Sequence, residues 1–232
     1  MKKLATLMCA IMFVVAAQAN NYFGIQVGFS QSVTRLNTAG QKELSPLMYN
    51  GLKVGVVYDA TIIKGFGVTM GLNYTFGANA TDWAKKVSSQ PGNYPQVCSR
   101  GQYHQIELPV DWQYKFEIAQ RTWVMLYTGP TLQCGLAFKD KWYINDGKNV
   151  NFTHEENRYS EQDKKDYALK RLNVTWGIGA GFQYERYFLR GGYDFGLINP
   201  YKAQSFEGQD IYTRGRFDQW QIKLGMYLWE TK

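Results

Sequence analysis

Seven charged residues keep unusual company in this sequence. Lys53, Glu107, Asp111, Lys115, Arg190, Asp194 and Lys223 sit on alternate positions shared with glycine and small polar residues, and the positions between carry large apolar side chains. Carboxylates and cations gathered on one face could neutralise one another as ion pairs, exchange protons as acid and base, or relay an ion. Which of these applies depends on whether the face is enclosed. Conventional catalytic spacing is missing. His154-Glu155-Glu156-Asn157-Arg158 begins like a zinc-protease motif but lacks the second histidine four residues on. It reads as a solvated loop histidine, far in sequence from His104. We therefore expect no catalytic residue, no metal ligand, no cofactor and no enzyme activity.

The element that best shows how such a face is built runs from Arg171 to Ile198. Leu172, Val174, Trp176, Ile178, Ala180, Phe182 and Tyr184 fall on one face, and Asn173, Thr175, Gly177, Gly179, Gly181, Gln183 and Glu185 on the other. After a tight reversal, Tyr187, Leu189, Tyr193, Phe195 and Leu197 oppose Arg190, Gly192, Asp194 and Gly196. A period of two, with this much glycine, is a β-hairpin and not a helix. Each arm is long enough to cross a bilayer as a tilted strand.

The same alternation predicts six further strands: Tyr22 to Val33, Tyr49 to Asp59, Gly65 to Gly77, Gln102 to Phe116, Arg121 to Phe138 and Phe217 to Trp229. The connections alternate long and short. The longest, Asp140 to Arg171, holds seven basic and seven acidic residues and is neither a basic patch nor an acidic tail. Eight strands so connected put the termini and three short turns on one side and four long connections on the other.

Residues 1–19 read as a cleavable signal peptide: Lys2 and Lys3, an apolar run from Leu4 to Ala16, then Ala17-Gln18-Ala19 before Asn20. The remaining 213 residues suffice for one domain, residues 20–232, and the formal charge falls from +7 to +5. No clustered basic stripe points to nucleic acid, and no later run is apolar enough for a spanning helix. The expectation is an all-β, eight-stranded antiparallel up-and-down transmembrane barrel. A soluble barrel would put its apolar face inward and its glycines in solvent, where they weaken strands. Inside a narrow barrel, glycine makes room for larger neighbours. Tyr22, Phe23, Tyr49, Tyr58, Tyr103, Tyr184, Tyr187 and Trp229, near strand ends, read as interfacial girdles. The seven charges then point into the lumen, where the favoured reading is a salt-bridged plug with Lys53, Arg190 and Lys223 as partners of Glu107 and Asp111. A gated proton or ion path is the alternative.

Two finer expectations concern the middle of the chain. Pairing the fourth and fifth strands about Ala119 sets Pro109 against Gly129 and Pro130 against Leu108, predicting a bulge or broken pairing there that redirects Glu107. Cys98 and Cys134, the two cysteines after the signal segment, could form a loop disulfide if the chain before the fourth strand folds back over the rim.

Gln105-Ile106-Glu107-Leu108-Pro109-Val110, followed by a strand carrying Gly129-Pro130, resembles the PorT-type outer-membrane β-barrel domain, which shares the small-barrel architecture of OmpA and OmpX. The resemblance implies a bacterial outer-membrane protein without a reaction of its own, in some members tied to secretion or acting as a small porin. The final Trp229-Glu230-Thr231-Lys232 departs from the aromatic ending usual for barrel-assembly signals. Expected partners are outer-membrane lipid and lipopolysaccharide, the barrel-assembly machinery during biogenesis, and a protein at the external loops. The expected role is structural or interactive, with a small gated porin as the alternative and a lipid-modifying enzyme as a third, less favoured one.

Overall fold

The computed structural model describes residues 20–38, 41–42, 47–63, 65–79, 96–145, 149–159, 169–201, 204–206, 209–211 and 213–231. The expected signal peptide lies outside them. Eight long antiparallel strands form the ring: β1 (Asn20–Thr38), β2 (Leu47–Ile63), β3 (Phe66–Ala78), β4 (Gln96–Ala119), β5 (Thr122–Asn145), β6 (Leu172–Tyr184), β7 (Tyr187–Gly196) and β8 (Thr213–Thr231). Each pairs with its chain neighbour, and β8 pairs with β1 from Asn21–Thr231 to Thr38–Thr213, so the sheet closes without an edge. Among the described residues no helix is long and apolar enough to cross a membrane; the strands are the spanning elements.

Alternation decides which way each side chain points. Ile25, Val27, Leu52, Leu72, Leu108, Ile178, Leu189 and Leu224 face outward and are exposed, whereas the glycine-bearing positions turn inward. An apolar exterior around a polar interior is the inverse of a soluble barrel, and it fits lipid as the outer solvent. The inward glycines leave space for rings. A Cβ on Gly77 would collide with Tyr103, one on Gly225 with Phe188, and one on Gly179 with Tyr127. A bulge between Phe23 and Gly24 shifts the β1–β8 register, so that Leu228 and Trp229 both end up outside.

The short turns are tight. Gly65 (φ 88°), Arg121 (φ 58°) and Glu185 (φ 51°) take left-handed backbone there. Because the β4–β5 reversal uses Gln120-Arg121 and a bulge follows at Glu117/Ala119, the register differs by two residues from a reversal about Ala119. Pro109 therefore faces Thr131, and Glu107 pairs regularly with Gln133. Pairing does break beside the prolines, but without a bulge. The β4–β5 ladder lacks rungs at Val110 and Asp111, opposite Pro130 and Gly129, and the β3–β4 ladder lacks them at Leu108 and Pro109. Each proline has no N–H to donate, so each interrupts the ladder on one side. Glu107 is not redirected by the break.

At the long-connection end β4 and β5 run past the ring. Val150–Asn157 pairs with Lys139–Asn145 of β5 as a third strand, so part of the expected loop from Asp140 to Arg171 is sheet. His154 lies in it, exposed and stacked on Trp142 with ring centroids 6.0 Å apart. Beside it, Glu155 accepts from Lys139 (2.7 Å) and lies 3.6 Å from Lys141; the Lys139 hydrogen bond holds its carboxyl below the usual range.

Candidate functional site

The lumen collects every one of the seven charged residues singled out in the sequence. Lys53, Glu107, Asp111, Lys115, Arg190, Asp194 and Lys223 are all buried, each on the inward phase of its strand. The structure adds an eighth, Asp59, which is fully buried on the same glycine-bearing face of β2. Its signal was its position, six residues from Lys53 and therefore on the same face. Four cations thus meet four anions.

They form two centres. On the short-turn side Asp59 lies 2.9 Å from Lys115 and 3.1 Å from Arg190, and it accepts from the Tyr227 hydroxyl and the Gln113 amide, each at 2.5 Å. Arg190 also donates to Thr69 (3.2 Å) and Gln113 (3.2 Å). Below this centre Val57, Met125, Phe188 and Tyr227 form a buried apolar cluster against Tyr22. Two shallow hollows next to it, of about 500 and 570 Å³, open at the short-turn end and share Tyr22, Trp123 and Gln183.

Nearer the middle, Lys53 donates to Glu107 at 2.5 Å and to Gln221 at 2.9 Å. Glu107 also accepts from Gln105 (2.5 Å) and Thr75 (3.0 Å), and Gln221 passes the network on to Asp194 (2.8 Å). Asp111 and Lys223 are buried in the same interior. Glu107 thus pairs with Lys53, one of the cations that the sequence named. Such pairs hold when satisfied, because an isolated charge in so enclosed a space is costly.

Above the ion centres the lumen closes with rings. Tyr49, Tyr103 and Phe138 form a second buried cluster, with Tyr49 edge-on to both others. Tyr49 and Tyr103, 3% and 2% exposed, are thus lumen residues and not girdle aromatics. Both stand on the inward phase, opposite small neighbours. Phe23, Tyr184, Tyr187 and Trp229 do face outward at the short-turn end. Arg158 closes over this cluster through Asp140 at 2.5 Å.

One expectation fails here. The Cys134 thiol is free, and Cys134 lies opposite Ile106 while Cys98 lies opposite Tyr143. Eight residues of extended β4 separate those rungs, about 26 Å at the strand rise, and a disulfide needs Cα atoms within about 7 Å. Continuing β4 as straight strand, with no fold back over the rim, removes the bridge. His104 sits on the outer face within 2.5 Å of the Tyr74 hydroxyl, away from His154. Among the described residues no group of histidine, cysteine and carboxylate side chains could hold a metal ion.

An edgeless strand ring, apolar outside and charged within, defines an outer-membrane-type β-barrel. Residues 16–201 match the family model described as outer membrane protein beta-barrel domain, and the chain belongs to that family. Membership points to the bacterial outer membrane. Solved structures to which the chain is similar include Neisserial surface protein A (9% identity, 87% of this chain and 96% of that one, TM-score 0.39). Ail, the attachment invasion locus protein of Yersinia pestis, is 13% identical over 90% of this chain and 99% of its own, with a TM-score of 0.38. OprG of Pseudomonas aeruginosa is 11% identical over 90% and 96%, with a TM-score of 0.44. No curated protein sequence matches the chain.

Proposed function

We propose that this protein is a structural and interaction component of the outer membrane, exported by cleavage after residue 19. In this reading the short turns face the periplasm, and the long connections face outward to contact lipopolysaccharide, other surface molecules or an envelope machine. The PorT-type likeness of Gln105–Val110 and Gly129-Pro130 belongs to the same proposal. The observation that carries it is the filled lumen. Two ion centres span the middle of an eight-stranded ring, and rings close the space on both sides. A lumen occupied by its own side chains is suited to holding a stable wall, and it leaves contact to the connections.

The test has two parts. Purified protein in a planar bilayer is expected to show no discrete conductance steps; reproducible steps would favour the small-porin reading. Protease added to intact cells is expected to cut within residues 140–171 and leave the ring resistant. Cleavage there only after the outer membrane is breached would reverse the orientation.

A further inference from the structure

Beneath the long connections lies a narrow cleft of about 60 Å³, walled by Tyr103, Phe138, Tyr159 and Tyr201, with Gln133 and Asn173 among its lining. A space of that size holds a few waters and nothing larger, so any larger molecule meets this end on its outer surface. There the β4–β5 hairpin changes character abruptly. Its outward phase is apolar through Leu108 and Ile106 on β4 and through Leu132 and Leu136 on β5. An aromatic rung follows, with the His104 and Phe76 ring centroids 5.0 Å apart. The next outward positions are Gln102 opposite Lys139, then Arg100 opposite Lys141. Gly101, Tyr103, Phe138 and Asp140, which alternate with them, are buried. Arg100 is therefore exposed on the outside, and the Lys139 and Lys141 side chains are 51% and 41% exposed there.

The height of these cations follows from strand geometry. Aromatic side chains gather where the apolar outer band of a barrel ends, at the hydrocarbon boundary. Two residues of antiparallel strand advance about 7 Å. With strands tilted by about 40°, Lys139 stands about 5 Å above the aromatic rung, and Arg100 with Lys141 about 10 Å above it. The headgroup layer beyond the hydrocarbon is about 5–8 Å thick on each side. The three cations thus lie in that layer and at its outer surface.

Two features say that this face meets an anion. Like charges directly opposite one another destabilise a sheet, and Arg100 faces Lys141. Among the described residues the carboxylate on this face is Glu155, 2.7 Å from Lys139 and 3.6 Å from Lys141, while Glu156 falls on the other phase opposite Asp140. Three cations thus share one carboxylate. The short-turn rim has the reverse balance, with Glu117, Glu185 and Glu230 exposed beside Arg121 and Arg186. A phosphate monoester carries nearly two charges and three acceptor oxygens. It can take the Arg100 fork bidentately while a lysine reaches the same group as a point charge.

We propose that the outward face of the β4–β5 hairpin binds the phosphate groups of lipopolysaccharide, with Arg100, Lys139 and Lys141 on the phosphates and Phe76 and Leu136 against the acyl chains. Glu155 competes with the phosphate for the two lysines. The proposal names a ligand and a surface for the long-connection end, and it rests on the reading of that end as external.

The experiment uses the full mature protein in lipid discs of phosphatidylcholine. Deep-rough lipopolysaccharide, the same lipopolysaccharide with its phosphates removed, or phosphatidylglycerol is added in increasing amounts. Backbone amide shifts are followed by NMR at residues 100–104 and 139–141, with Glu117, Glu185 and Arg186 as the comparison rim. Phosphorylated lipopolysaccharide is expected to shift the hairpin amides and to leave the short-turn rim unmoved. Arg100→Gln and Lys141→Gln should each raise the half-saturating content about fivefold, and Glu155→Gln should lower it. All three side chains reach solvent, and unchanged lumen resonances check that each variant is folded. No shift at the hairpin, an equal shift with dephosphorylated lipopolysaccharide or with phosphatidylglycerol, or weaker binding in Glu155→Gln would overturn the site. Both leaflets of the disc carry the added lipid, so such a failure leaves orientation to the protease experiment.

Discussion

On the short-turn side of the lumen, Asp59 gathers two cations, a phenol and an amide around one carboxylate. At the long-connection end, the Gln133–Asn173 pair spends one hydrogen bond internally and keeps a donor and an acceptor free. Both regions are buried and polar, yet the first is charged and internally paired and the second is neutral and incomplete. A second amide pair sharpens the contrast. Gln26 donates to Asn73 at 2.6 Å, with the opposite atoms likewise unpartnered among the described residues, but neither residue lines the long-connection cleft or the two short-turn hollows. Incomplete pairing in a neutral, buried setting marks interior suited to water.

The largest effect should come from the carboxylate that serves most partners. Asp59→Ala leaves Lys115 and Arg190 without their shared anion, and breaking a buried pair typically costs about 3–5 kcal/mol. Urea unfolding of the protein in lipid vesicles should show a loss at least that large. Gln133→Leu, by contrast, removes no charge and should cost less than Asp59→Ala. If the two variants unfold alike, the division of the lumen into a charged, internally paired centre and a neutral, incompletely paired one is wrong.

A second experiment asks whether the middle centre acts through charge or through occupancy. Glu107→Ala strands Lys53 and should destabilise by about 3 kcal/mol, near the lower bound for a single broken pair. The double variant Lys53→Met with Glu107→Leu removes both charges and keeps the volume. It should recover most of that loss, because apolar replacement of a whole buried pair is often neutral. The same vesicle-unfolding measurement checks it. A double variant no better than Glu107→Ala would show that Gln105, Thr75 and Gln221 depend on the ion pair.

Much of this arrangement was legible in the sequence because the strand period is two and one face meets lipid. Lys53, Glu107 and Arg190 could be placed inside without coordinates, since each shares a phase with glycine and opposes an apolar neighbour. What escaped has physical causes. Residues 151–155 are exposed on both faces of their strand, so no apolar stripe marks that segment as strand. Tyr49 and Tyr103 resemble interfacial tyrosines in position, and only their phase, with Gly77 making room for Tyr103, tells lumen from girdle. The β4–β5 register hung on a two-residue reversal and one bulge, features that shift pairing without altering which face a residue occupies. The cleft was illegible altogether. Its lining comes from β2, β4, β5, β6, β8 and the segments near residues 159, 169 and 200, and no local pattern joins them.

The smallest effect belongs to the ion pair with the same charge chemistry in the opposite setting. Arg121 and Glu185 sit on adjacent short turns, 2.9 Å apart, with 68% and 41% of their side chains exposed. The backbone already joins these turns, since Glu185 N–H donates to the Arg121 carbonyl at 2.8 Å. Water solvates either charge when its partner is removed, and ordering two long side chains offsets much of the attraction, so exposed pairs contribute about 0–1 kcal/mol. Arg121 also holds a left-handed φ of 58°, which a Cβ-bearing residue adopts at some cost whatever its charge. Arg121→Ala should therefore change the unfolding midpoint little, whereas Arg121→Gly should raise it by relieving that backbone cost. Double-variant analysis with Glu185→Ala isolates the pair from the backbone. A coupling approaching that of Lys53 with Glu107 would mean that enclosure is not what gives the lumen pairs their weight.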